Sequence, residues 1–329
     1  MNLSAKRVLV TGAGGFIGSH LTEALVDCGC TVSALVHYDS RADLSNLDFL
    51  PQDKFARVKV LTGNIEDPFF ANAMLEGIDV VFHLAALIAI PHSYVAPASY
   101  VRTNVDGTLN VLEAARSRGV ERVVIMSTSE VYGTARYAPI NEEHPLQAQS
   151  PYSATKIAAE KLAESYWCTF GLPVVVVRAF NTFGPRQSAR AVIPTIVSQQ
   201  LFSDRVRVGS LTPTRDFVFV RDTATGLMAA GTCDEAVGQV LNLGTGRETS
   251  IADVLDSVQR ITGVKKPVDV DENRVRPKNS EVQRLLCDSS KARTMTGWTP
   301  KFDLESGLRE VVAFVQANGH RFRVDSYAR

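Results

Sequence analysis

The sequence predicts an α/β fold: a doubly wound parallel sheet covered by helices on both faces, with a smaller C-terminal domain. Three observations predict it. Six short runs rich in Val, Ile and Leu recur before residue 184, at 7–11, 32–37, 58–62, 80–84, 122–127 and 174–178. They are continuous rather than alternating, as strands buried on both faces are. Helix-length stretches, among them 19–28, 100–118 and 152–170, lie between them and supply the crossovers that parallel strands need.

The first strand, Arg7-Val8-Leu9-Val10-Thr11, runs into Gly12-Ala13-Gly14-Gly15-Phe16-Ile17-Gly18, and a helix follows at once. Glycine has no Cβ, so the turn can be tight and its backbone can approach a pyrophosphate. The helix N-terminus aims N–H groups and a positive dipole at the same place. Glycines at 12, 15 and 18 give T-G-x-x-G-x-x-G. Between a strand and a helix this predicts dinucleotide binding and a Rossmann-like sheet.

The second strand, 32–37, sets the cofactor question. NAD enzymes usually end it on an acid that binds the ribose hydroxyls. Here that place holds Val36 or His37, and Asp39 comes late. His37, Ser40 and Arg41 would suit a 2′-phosphate instead, so NAD and NADP both stay open.

Strands at 58–62 and 80–84, the helix at 100–118, the strand at 122–127, the helix at 152–170 and the strand at 174–178 complete the first part. After Gly184-Pro185 the pattern becomes irregular. A strand at 240–243 is expected to rejoin the sheet. A helix at 251–262, a polar stretch at 265–280 and a helix at 304–318 follow. The division is then 1–183 as the dinucleotide-binding domain, joined by a strand near 238–244, with 184–237 and 245–329 as the substrate-binding domain.

Composition narrows the function classes. The chain has 329 residues, 45% hydrophobic and 21% charged, which excludes a disordered chain, a collagen and a coiled coil. Lys+Arg and Asp+Glu are both 35, so a general electrostatic grip on nucleic acid is not expected. No apolar run reaches the ~20 residues that span a bilayer, so no membrane partner is expected. Residues 1–7 lead straight into a strand, which predicts no secretory leader and a cytoplasmic protein. The five cysteines, 28, 30, 168, 233 and 287, include no C-x-x-C pair. They read as free thiols in a reducing compartment, and no metal site is expected.

Tyr152-Ser153-Ala154-Thr155-Lys156 is Y-x-x-x-K. Residues four apart share a helix face. Lys156 can therefore sit beside the Tyr152 phenol and favour the phenolate, making Tyr152 a candidate general base. The strand at 122–127 runs into Ser127-Thr128-Ser129-Glu130-Val131-Tyr132-Gly133. Ligands of open α/β sheets bind at the carboxyl ends of strands, which puts hydroxyls and a carboxylate where a substrate should lie. Asn104, on the preceding helix, is a candidate to hydrogen-bond backbone near the site.

These residues resemble the extended short-chain dehydrogenase/reductase family of nucleotide-sugar enzymes. The resemblance covers nearly the whole chain. It includes the glycine turn, His83-Leu84-Ala85-Ala86, Ser127 to Gly133, Tyr152 and Lys156, Arg178-Ala179-Phe180-Asn181-Thr182-Phe183-Gly184-Pro185-Arg186 and Arg215-Asp216-Phe217. It implies a nucleotide-sugar substrate and a tightly bound, recycled NAD or NADP. The cofactor would be held by Gly12, Gly15, Phe16, Ile17, Gly18, His37, Arg41, Asn64, Ile65, Leu84, Ala85, Ala86, Asn104, Tyr152 and Lys156. It also implies a homodimer formed through the helices at 100–118 and 152–170.

By the same resemblance Thr128 binds the sugar O4, and the next two positions separate the reactions. Sugar 4-epimerases usually carry small or hydroxyl residues there, whereas 4,6-dehydratases carry an acid. Ser129-Glu130 is similar to the GDP-mannose 4,6-dehydratase pattern, though UDP-glucuronate decarboxylases share S-T-S-E-V-Y-G. The stretches 150–156, 184–194, 213–217 and 276–282 resemble the N-acetylglucosamine 4,6-dehydratases of the legionaminic acid pathway. In that reading Glu130 removes the C5 proton, and Glu130 or Ser129 assists loss of the C6 hydroxyl. Asn181, Arg215, Arg276 and Arg186 hold the diphosphate. A decarboxylase, a 4-epimerase and a non-catalytic dinucleotide sensor remain as alternatives, and the nucleotide base is left open.

Overall fold

The computed structural model describes residues 1–274, 277 and 279–322. Six strands alternate with helices: β1 (Arg7–Thr11), β2 (Thr31–Val36), β3 (Val58–Thr62), β4 (Val80–His83), β5 (Arg122–Thr128) and β6 (Val174–Ala179). A seventh strand, Val240–Leu243, pairs with β6 in parallel. All seven are parallel, in the order seventh–β6–β5–β4–β1–β2–β3. The sheet therefore reverses direction between β1 and β4, and a crevice opens at the carboxyl ends there.

Alternation along each strand assigns side chains to two faces. Val8 and Val10 join Val32, Phe82 and Val124 on one face, under Leu21 and Leu25 of the Phe16–Asp27 helix and Leu227 and Ala230 of the Val220–Thr232 helix. Leu9 joins Val81, Val123 and Ile125 on the other, against Val111, Leu112, Ala115, Ala163 and Tyr166. Residues 220–232 fall within the segment expected to belong with the smaller domain. Their apolar face instead covers the sheet.

The Phe16–Asp27 helix begins three residues earlier than expected, directly on Gly15, and has neither a side-chain cap nor an acid in its first turn. A missing cap costs about 1 kcal/mol. Each fully buried leucine contributes roughly 1.5–3 kcal/mol, so Leu21 and Leu25 outweigh that loss and leave the first N–H groups for another partner. The Pro151–Phe170 helix is the opposite case. Ser150 and Ser153 each accept the other's backbone N–H at 3.1 Å, and Pro151 opens the first turn.

The helix expected over 100–118 is divided. A π-helical turn, Val101–Asp106, precedes an α-helix, Gly107–Arg118. The turn carries Asn104, which is buried, and such bulges mark places where a side chain must face inward. Part of the C-terminal region forms a separate core in which Ile196, Val197, Val254, Val258, Leu308 and Val311 pack around Phe183 and Phe219. No helix among the described residues is long and apolar enough to cross a membrane.

Candidate active site

A cleft of about 840 Å³ follows the carboxyl ends of β1, β2, β4 and β5. Its floor is the glycine turn. Gly12 has φ +70°, and a Cβ there would lie 2.8 Å from the Ala85 backbone nitrogen. A Cβ on Gly18 would lie 2.2 Å from the Gly12 carbonyl oxygen. The turn is pressed against residues 84 and 85, with the uncapped helix aimed into the cleft. This backbone cradle fits the pyrophosphate of a dinucleotide.

Thr11 and His83 hold the two walls together. The Thr11 hydroxyl accepts from the backbone N–H of Leu84 and of Ala85, both at 3.1 Å. It lies 2.8 Å from His83 Nδ1. His83 Nε2 is 3.0 Å from the Thr108 hydroxyl, which donates to the Asn104 carbonyl at 2.7 Å. Thr108 must therefore accept from Nε2–H, and Nδ1 accepts from Thr11. Burial, with the Lys156 charge second, depresses the His83 pKa to about 3, so the ring is neutral. In the sequence Thr11 only ends a strand and His83 only opens the motif His83-Leu84-Ala85-Ala86. The signal was the pairing of β1 with β4, invisible in one strand alone.

Of the expected cofactor residues, Gly12, Gly15, Phe16, Ile17, Gly18, His37, Asn64, Ile65, Leu84, Ala85, Ala86, Tyr152 and Lys156 all line the cleft. Asn104 stands behind it. Its Oδ1 accepts from Leu87 N–H at 2.8 Å, and its Nδ2 donates to the Leu87 carbonyl and to Thr155 Oγ1, both at 3.0 Å. Thr155 in turn donates to the Tyr152 carbonyl at 2.7 Å. Arg41 is not brought to the cleft. Its guanidinium turns onto Asp39, Nη2 to Oδ2 at 2.9 Å, and that hydrogen bond holds the carboxyl down to about 2. Asp39 and Asp43 line the cleft in its place.

Thr128, Ser129, Glu130, Tyr152 and Lys156 meet at the inner end. Tyr152 packs edge-on against Tyr100, with ring centroids 6.3 Å apart. Burial pushes its phenol well above the usual value. A hydrogen bond with Thr128 opposes that shift, and the nearby Glu130 carboxylate adds to it. Lys156 shares the helix face as expected but does not act on the phenol in the expected way. Its Nζ donates to the Met126 carbonyl at 2.7 Å. Burial lowers its own pKa to about 8, with Glu160 working against the shift.

At the other wall Asn181, Thr182, Gln187 and Arg190 line the cleft. Among the described residues, Asn181 Oδ1 is buried without a hydrogen-bond partner, which fits a ligand-facing amide. Arg190, which sequence reasoning passed over, is exposed at the mouth. Arg186 is not in the cleft. It adopts φ +69° and pairs with Glu23 at 2.8 Å across 163 positions of sequence. Arg215 is buried outside it, donating to the Thr214 carbonyl at 2.9 Å and to Glu281 at 3.2 Å. Arg276 lies outside the described residues.

Comparison with known proteins agrees with this geometry. The family model described as GDP-mannose 4,6 dehydratase matches residues 9–311. The chain is 32% identical to the dTDP-D-glucose 4,6-dehydratase of Mus musculus, over 97% of this chain and 91% of that one. It is 30% identical to UDP-glucuronic acid decarboxylase 1 of Xenopus tropicalis, over 94% and 72%. The UDP-glucuronic acid 4-epimerase of Bacillus cereus, solved in complex with UDP-glucuronic acid and NAD, superposes with a TM-score of 0.86. It is 28% identical, over 95% and 99%.

Proposed function

The chain belongs to the GDP-mannose 4,6 dehydratase family, and from that premise we propose that it is a nucleotide-sugar 4,6-dehydratase. Its substrate in this reading is a nucleoside-diphosphate N-acetylglucosamine, and its product the 4-keto-6-deoxy sugar. The observation that carries the reading is the acid at position 130. Glu130 lines the same cleft as Thr128 and Tyr152 and is close enough to act on the phenol. An epimerase has no use for a second proton-transfer group at that place.

A nicotinamide cofactor held over the turn of Gly12, Gly15 and Gly18 would supply the hydride acceptor for C4 and the hydride donor for C6. The protein handles the protons. Thr128 orients the sugar O4 toward Tyr152, and Tyr152 removes the O4 proton. Lys156 stands one helical turn from Tyr152 and is held on the Met126 carbonyl. The new ketone acidifies C5–H, and Glu130 removes that proton. Glu130 or Ser129 gives a proton to the C6 hydroxyl as it leaves as water. Two protons are taken, from O4 and C5; one departs in the water and one returns to C5. Oxidation at C4 and reduction at C6 cancel, so the net reaction needs no external oxidant or reductant.

The diphosphate falls to Asn181, with Arg215 and Arg276 as further candidates by resemblance. The helices Gly107–Arg118 and Pro151–Phe170 expose Leu109, Trp167 and Phe170, which supports a homodimer through that face. Sedimentation as a monomer at micromolar protein would remove it.

Arg190 favours one second reading. A cation at the cleft mouth suits a substrate with a C6 carboxylate, as in a UDP-glucuronate decarboxylase. Incubation with UDP-, GDP- and CDP-linked N-acetylglucosamine and with UDP-glucuronate, read by product mass, separates the two. Loss of one water from an N-acetylglucosamine nucleotide is expected. Loss of carbon dioxide from the glucuronate would install the second reading, and unchanged masses with an altered sugar by NMR would indicate epimerisation.

A further inference from the structure

The mechanism leaves the buried carboxylate on the Pro151–Phe170 helix unused. Tyr152, Lys156 and Glu160 stand four residues apart on one face of the Pro151–Phe170 helix, and all three are buried. Glu160 is 3% exposed. It receives Arg178 through Nε at 3.0 and 3.2 Å and through Nη2 at 2.6 Å, and it accepts the Ser127 hydroxyl. Arg178 also donates to the Tyr132 hydroxyl at 2.8 Å, which donates to Asn242 at 2.7 Å.

The arrangement is specific to the catalytic strand end. Lys156 holds the Met126 carbonyl of β5, and Glu160 holds the side chain of the next residue, Ser127. The residue after that is Thr128. A shift of the helix along β5 would break both bonds and misplace Tyr152 against Thr128. Burying an ion pair this deep seldom adds net stability over apolar residues of the same volume, so stability alone is a poor reason for Glu160.

We propose that Glu160 is a positioning residue for the catalytic pair: through Ser127 it fixes the end of β5 against the Tyr152–Lys156 helix, and it sets a carboxylate one helical turn from the Lys156 side chain. This rests on reading Tyr152 and Lys156 as that pair. His83 from β4, the Met126 carbonyl from β5, and Tyr152 and Glu160 from its own helix surround Lys156. Glu130 stands beyond Tyr152, and Arg178 of β6 behind Glu160. His83 is neutral, which leaves Glu160 as the carboxylate that acts on Lys156.

The test reads a proton rather than a product, so its failure is distinct from failure of the substrate assignment. In NAD-bound protein labelled with ¹³C at lysine Cε, the Lys156 signal is the one lost in Lys156→Met, and its shift is followed against pH. In Glu160→Gln the midpoint is expected to fall by about one unit, a tenfold rise in the acid dissociation constant. Ser127→Ala removes a hydrogen bond and keeps every charge, and should leave the midpoint in place. Because Glu160→Gln strands Arg178, the double variant Glu160→Gln/Arg178→Met is measured beside it, and its midpoint should fall by less. An unmoved midpoint in either folded Glu160 variant overturns the proposal, as does an equal fall in Ser127→Ala.

Discussion

The Thr11 hydroxyl and His83 Nδ1 meet at 2.8 Å between neighbouring parallel strands, and with the Leu84 and Ala85 N–H groups on the same hydroxyl that contact ties the glycine turn to the opposite wall of the cleft. Thr11→Val keeps the shape and deletes the hydroxyl. The Ala85 N–H and the His83 ring nitrogen then lose their partner, at about 1–3 kcal/mol for each buried orphan. A fall in thermal midpoint together with roughly tenfold weaker NAD binding, by fluorescence titration, is expected. Unchanged binding would mean that the wall is held by something else.

Gly12→Ala tests the floor. The new methyl meets the Ala85 backbone at 2.8 Å on a residue with φ +70°. Left-handed backbone alone costs an alanine about 1–2 kcal/mol, and backbone on both sides cannot yield as a flexible side chain would. The variant should purify without NAD and show no titratable binding by calorimetry.

Glu130→Gln separates chemistry from binding. The amide cannot take the C5 proton, so dehydratase turnover should fall by at least ~100-fold, while the NAD dissociation constant stays within about twofold. Retention of full turnover, followed by loss of water in the mass spectrum, would assign the elimination to another group.

Acid should destabilise the fold through His83. Its folded pKa, about 3, lies below the ordinary value of 6.5, so the unfolded chain binds the extra proton between those limits. Stability is complete above about pH 6.5 and is lost as pH falls toward 3, by on the order of several kcal/mol for so buried a ring. His20, depressed to about 4 chiefly by burial, acts in the same direction. Urea melts at pH 7 and pH 5 should show a loss that His83→Gln reduces.

At the end of β2 the carboxylates of Asp39 and Asp43 line the cleft, and Arg41 is occupied by Asp39. A 2′-phosphate would meet acid there. NAD should therefore bind at least tenfold more tightly than NADP, and Asp39→Asn, which frees Arg41, should narrow the gap. Equal affinities in the parent protein would refute the assignment.

Much of this was legible in the sequence because the deciding chemistry is local. Thr11 to Gly18 declares its own turn, and Tyr152 and Lys156 share a helix face by spacing alone. What was not legible depends on partners far along the chain. Arg186 reads as a phosphate ligand until Glu23 is seen beside it. The partner of Arg215, Glu281, lies 66 positions away and its motif gives no sign of it. Arg41 was misjudged at short range, because Asp39 lies only two residues away and the two charges satisfy each other. Periodicity placed the 100–118 helix but not its π turn, which exists because Asn104 reaches back to Leu87.

The late arrival of the seventh strand bears on how the protein is made. β6 carries four consecutive valines, and Val240–Leu243 covers its outer edge. On the ribosome everything through residue 183 emerges before that cover exists. For this interval an apolar strand offers open hydrogen bonds to any passing chain. A truncated product ending near residue 183 should precipitate although it contains the whole glycine turn and the Pro151–Phe170 helix. Premature termination would therefore be a greater hazard to the cell's protein quality control than most substitutions within the cleft.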